Sequence, residues 1–182
     1  MRRLGSTELE SLMRLRLDRR PSPVGGLLIV SDEDGRLRAL DFEDYEARML
    51  RLLGRHYGDF TLTGGAAPAA VTQGLDAYFA GDLESPATLA AATGGTAFQR
   101  AVWDALRAIP PGQTESYGAL AARLGKPGAS RAVGLANGSN PVAIIVPCHR
   151  VIGANGSLTG YAGGMTRKTW LLDHERRFSA AA

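Results

Sequence analysis

The chain has 182 residues, enough for one large domain or two small ones, each burying a core of its own. Its 45% apolar and 21% charged residues suit a water-soluble globular protein, and no stretch approaches the roughly 20 consecutive apolar residues that span a bilayer, so no membrane association is expected. The formal net charge of +3 is unevenly spread: residues 1–91 carry 11 Lys/Arg and 14 Asp/Glu, net −3, whereas residues 92–182 carry 10 and 4, net +6. Such a bias suits a polyanion, since each neutralised phosphate releases counterions, although by itself it is also an ordinary solvated surface. One cysteine excludes an intramolecular disulfide and cannot alone build a Cys₄ or Cys₂His₂ zinc site. Neither metal nor cofactor is expected, and the cytoplasm is the natural compartment.

From the amino terminus, the mixed acidic and basic start lacks the apolar core and cleavage site of a secretory signal. Leu9, Leu12, Met13 and Leu17 fall near helical spacing and read as a short amphipathic segment packed on the domain. Leu27–Val30 and Leu37–Phe42 read as strands joined by a turn at Asp34-Gly35, a β-hairpin. Glu43–Tyr57 and Ala69–Ala80 read as helices. His56 near the end of the first suits the helix dipole and is given no chemical role. Asp41, Glu43 and Asp44 could bind a divalent ion, but acids collect at helix starts for capping, which is the preferred reading. Pro, Thr and Gly punctuate residues 85–95 and set a boundary there. Residues 1–91 are thus expected to form a small, structural α/β domain, and residues 92–182 a second domain.

The second half opens on a helix, Thr96–Ile109, with Thr96 as N-cap, an apolar face through Phe98, Val102, Ala105, Leu106 and Ile109, and Pro110-Pro111-Gly112 as its stop. Ser116 caps a short helix to Leu124, the turn Gly125–Gly128 follows, and Ser130 caps another through Asn137. Two short helices around a Gly-containing turn form a helix-turn-helix. The second is crowded with Ala132, Gly134 and Ala136, and only Arg131 and Asn137 could reach base edges. It reads either as a helix that approaches DNA closely while reading little sequence, or as a tight helix-packing face. The apolar run Val142–Val146 reads as a buried strand leading into Pro147-Cys148-His149-Arg150-Val151.

An unperturbed thiol, with a pKa near 8.5, is only a few per cent thiolate at neutral pH, so a nucleophilic Cys148 needs a proton acceptor. His149 is the adjacent candidate, by direct bond or through a water, because neighbouring side chains diverge. Glu175 could accept the other imidazole proton and set its tautomer.

The Pro147–Val151 pentapeptide resembles the active-site signature of the O6-alkylguanine-DNA alkyltransferases, the methylated-DNA–protein-cysteine methyltransferases. The match extends upstream through Arg131-Ala-Val-Gly and Asn140-Pro141, and downstream through Gly160-Tyr-Ala-Gly-Gly164 and Trp170–Glu175. It covers roughly 97–175 in register, too long for accident, whereas the first half matches loosely, in its hairpin and in Gly74–Asp82. The resemblance implies an α+β fold in which a ribonuclease-H-like α/β domain precedes a mainly helical domain with the helix-turn-helix. It implies a relay of Glu175, His149, water and Cys148, with Asn140 as the hinge and Tyr117 donating to the leaving guanine. Arg131 would fill the space of the extruded nucleotide, with Ser130, Ala132, Gly134 and Asn137 at the DNA. Val146, Pro147, Val151, Tyr161 and Ala162 would line the pocket. Ala162 departs from members that carry a serine there, so no side-chain hydroxyl at that position polarises O6.

The expected activity is stoichiometric transfer of an alkyl group from O6-alkylguanine, and from O4-alkylthymine, in double-stranded DNA to Cys148 of a monomer, with base flipping. An alkyltransferase-like binding protein would lack the acceptor cysteine. A Cys-His-Glu hydrolase would have no use for Arg131, and a transcription regulator would carry a recognition helix richer in base-reading side chains.

Overall fold

The computed structural model describes residues 12–158 and 160–180. Its first half is a four-stranded mixed sheet. Strand β1, Met13–Arg20, buries Leu15, half-buries Met13 and Leu17, and exposes Arg14, Arg16 and Arg19. This corrects the helical reading of Leu12, Met13 and Leu17: the alternation of Met13, Leu15 and Leu17 is the period of a strand. Leu9 lies outside the described residues.

Strands β2, Leu27–Asp32, and β3, Leu37–Phe42, form the expected hairpin, with a bulge after Val30. Asp32 Oδ1 accepts from the amides of Asp34 and Arg36, and Gly35 turns the chain at φ 76°. Helix α1 covers Glu46–Tyr57, while Glu43–Tyr45 form a separate 3₁₀ turn. Strand β4, Phe60–Gly64, was not expected; it pairs in parallel with β1, giving the order β3-β2-β1-β4. The acids at 41–44 do not cap. Asp41 pairs with Arg48 at 2.7 Å and Asp44 with Arg167 at 2.8 Å, and no capping bond forms at the 3₁₀ turn.

The sheet has two unlike faces. Leu28, Val30 and Ala39 pack with Leu15 against Met49 and Leu53 of α1. Leu27, Ile29, Leu37, Leu40 and Phe42 join one larger core with helix α2, Ala69–Phe79, and with the second half of the chain. That core runs without a break across residues 91 and 92. Leu40 is the seam: its N–H donates to Pro141 and its carbonyl accepts from Ala143, at 2.9 and 3.0 Å.

In the second half, helix α3, Ala97–Arg107, starts with a full capping box: Thr96 Oγ1 accepts from Gln99 N, and Gln99 Oε1 from Thr96 N. A short parallel pair joins β5, Glu115–Ser116, to β6, Val151–Ile152. Helix α4, Tyr117–Arg123, is capped by Ser116, as expected. Helix α5 spans Ser130–Gly138, but Ser130 is its first residue and makes no capping bond, which corrects that assignment. Helix α6 spans Met165–Ala180.

The segment Val142–Val146 is buried but is not a strand. Val142 makes one bridge to Leu40 and the chain then curls, with Ile144 at φ 70°. The cause is Asn140, whose Nδ2 donates to Val146 O at 2.8 Å while its Oδ1 accepts from Val142 N at 3.0 Å. A side chain that holds both ends of a five-residue segment excludes an extended one.

Candidate active site

The curl delivers the chain into a single 3₁₀ turn, Cys148–Arg150, held by Cys148 N donating to Val146 O and Arg150 N to Pro147 O. All three side chains are buried, at 4%, 0% and 5% exposure. On this turn the His149 and Arg150 side chains converge on one carboxylate. His149 Nε2 lies 2.7 Å from Glu175 Oε1 of α6, and Arg150 forks onto the same carboxylate, Nε to Oε2 and Nη2 to Oε1, both at 2.9 Å.

Burial opposes ionisation of Glu175, but His149 and the Arg150 guanidinium outweigh it and hold the carboxyl far below the usual range. Burial lowers His149 despite Glu175, so the imidazole is neutral at neutral pH. Because Nε2 faces a carboxylate, it carries the proton, leaving Nδ1 as the basic nitrogen. Nδ1 is buried and makes no hydrogen bond to any described residue. Burial raises the Cys148 thiol, opposed by Asn140, Arg48, Tyr161 and Lys168, so the resting sulfur is protonated. The arrangement is a protonated thiol next in the chain to a neutral imidazole whose Nε2 is anchored to an anion. A neutral imidazole steadied in this way is a base able to take up and hold a proton.

Val146, Pro147 and Val151 are buried around the turn, and Tyr161 and Ala162 are half-buried with the Tyr161 ring on the core. Gly163 must be glycine: an added Cβ would run into the Phe42 ring of β3. Tyr117, half-buried at the start of α4, lies against Gly134 of α5. Ser130, Arg131 and Ala132 are exposed at the start of α5. Asn137, expected at the DNA, is instead 5% exposed, with its Nδ2 3.4 Å from Cys148 O. It lies six residues after Arg131, on the inward face of the helix beside buried Val133 and Ala136.

The 6-O-methylguanine DNA methyltransferase models match this chain twice, the ribonuclease-like domain over residues 17–89 and the DNA binding domain over residues 97–177. The chain belongs to the 6-O-methylguanine DNA methyltransferase family. It is 55% identical over 166 residues to the methylated-DNA–protein-cysteine methyltransferase of Salmonella typhimurium, covering 90% of this chain and 97% of that one. Its fold is similar to Mycobacterium tuberculosis OGT crystallised with DNA, with TM-score 0.76 and 42% identity over 91% and 94% of the two chains. The O6-methylguanine-DNA methyltransferase of Pyrococcus kodakaraensis matches at TM-score 0.71 and 25% identity, over 88% and 98%.

Around this candidate site stand residues that sequence reading passed over. Arg150 lies inside the signature pentapeptide, where a charge in an apolar run was the available signal. Lys168 is fully buried on α6, with Nζ donating to Val151 O at 2.6 Å. Leu135 is 71% exposed on α5, four residues and one turn from Arg131. Two come from the first half. Arg48 donates to the carbonyls of Gly138 and Asn140 at 2.6 and 3.1 Å, and Tyr78 donates to Glu175 Oε1 at 2.9 Å.

Proposed function

We propose that this protein repairs O6-alkylated guanine in double-stranded DNA by taking the alkyl group irreversibly onto Cys148. The observation that carries the reading is the buried pair of His149 and Glu175 beside the one cysteine. His149 Nδ1 takes the thiol proton, through a water, as Glu175 steadies the imidazolium. The sulfur then attacks the alkyl carbon, an S–C bond forms, the C–O6 bond breaks, and the guanine leaves with a proton donated by Tyr117.

A sulfur nucleophile cannot approach O6 in line within a stacked duplex, so the base is flipped out. Exposed Arg131 takes its place, while Leu135 adds an apolar contact on the same face of α5. O4-alkylthymine presents the same alkyl–oxygen bond and is a second substrate. The protein works as a monomer without a cofactor, in the cytoplasm, where a free thiol persists.

The test is incubation with an O6-methylguanine duplex followed by peptide mass spectrometry. Methyl on the Cys148 peptide is the expected result, abolished in Cys148→Ala, which still shifts the duplex on a gel. Methyl transfer by the alanine variant refutes the assignment.

A further inference from the structure

The carboxylate that anchors His149 is held from both halves of the molecule. Glu175 Oε1 faces three donors: His149 Nε2 at 2.7 Å, Arg150 Nη2 at 2.9 Å and Tyr78 Oη at 2.9 Å. Oε2 faces Arg150 Nε at 2.9 Å and the Gly112 amide at 3.4 Å. Tyr78 is the contribution of the first half. It lies on α2, is 1% exposed, and is locked by its own backbone carbonyl on His174 Nε2 at 2.8 Å and by its ring, edge-on to the His174 imidazole. Arg150 alone already fixes the plane of the carboxylate, so orienting Glu175 does not require a third residue. A carboxylate oxygen offers two lone pairs, and Tyr78 draws on the oxygen that His149 uses.

We propose that Tyr78 is a positioning residue of the transfer reaction, through which the amino-terminal half tempers the pull of Glu175 on His149. The inference rests on the relay of the preceding section. By sharing its charge with the tyrosine hydroxyl, Glu175 stabilises the imidazolium less than it otherwise would. The cationic groups facing His149, Arg150 and Lys168, act in the same sense by repulsion. Tyr78 itself stays protonated throughout: burial and Glu175 push its hydroxyl beyond the range of any assay.

The experiment is the pH dependence of transfer from free O6-benzylguanine, which needs neither DNA nor base flipping, by the full chain. Tyr78→Phe keeps the ring and its packing and removes only the donor. The ascending limb should move to lower pH by about half a unit, because a stronger His149 base deprotonates the thiol earlier. A limb that stays in place or moves to higher pH overturns the proposal. The same substitution in a His149→Ala background should leave the limb unmoved, and an equal shift there shows that Tyr78 does not act through His149 and also overturns it. His149→Ala with native Tyr78 separates the two claims: an unchanged profile in that variant sinks the relay itself.

Discussion

Burial and the neighbouring charges together fix the charge of His149 and Glu175 before any substrate arrives. His149 is lowered from 6.5 and Glu175 from 4.5, so in both cases the unfolded chain binds protons that the folded chain refuses. Stability therefore falls as pH drops, beginning near 6.5 for His149 and near 4.5 for Glu175; His56, also lowered by burial, acts in the same sense. Thermal melts should show a Tm that declines from pH 6.5 downward, with a shallower upper part in His149→Gln. An identical decline in the variant removes His149 as a cause. Arg131 is different in kind, being exposed. Arg131→Ala should lower the rate on O6-methylguanine duplex far more than the rate on O6-benzylguanine, and equal losses would mean it supports the pocket rather than extrusion.

Among the elements, helix α5 is held by its carboxy-terminal end. Arg48 covers the carbonyl of Gly138 that the helix leaves open and that of Asn140 just beyond it, and its other nitrogen pairs with Asp41, whose side chain is 3% exposed. Arg48→Ala strands a buried carboxylate at a cost of about 3 kcal/mol, which for a chain of this size lowers Tm by roughly 6–12 °C. Arg48→Lys should restore part of that loss; a Tm within 2 °C or so of the parent in the alanine variant would discard the clamp.

What the sequence could and could not reveal follows the same line. Helix α3 was legible because Thr96, its apolar face and the Pro110-Pro111-Gly112 stop act locally. Cys148, His149 and Glu175 were legible through their motif blocks. The curl at 142–146 was not, since its shape comes from the Asn140 side chain and from Leu40, a hundred residues earlier. Asn137 looked like a base reader because residue type says nothing about which side of a short helix is covered. Tyr78 and Arg48 had no signature, for what makes them matter is the other half of the fold.

At the scale of the molecule, the excess of positive charge in residues 92–182 predicts that undamaged duplex is bound less tightly as salt rises from about 50 to 200 mM, and a flat response in filter binding would contradict phosphate contacts. The thioether left on Cys148 has no carbonyl for water to attack, so product should plateau at one equivalent of protein; several equivalents would overturn stoichiometric transfer. The seam at Leu40 also sets an order of events during synthesis. Strand β3 is the edge of its sheet, and the residues that cover it, Ala91 and Pro141–Ala143, are made later. At about 5–20 residues per second, the ribosome takes roughly 5–20 s to add the hundred residues between Leu40 and its cover. For that interval the nascent sheet keeps an open strand edge beside Leu40, a template for pairing with another chain, even though α2, made earlier, already packs on the apolar face of Leu27, Ile29 and Phe42.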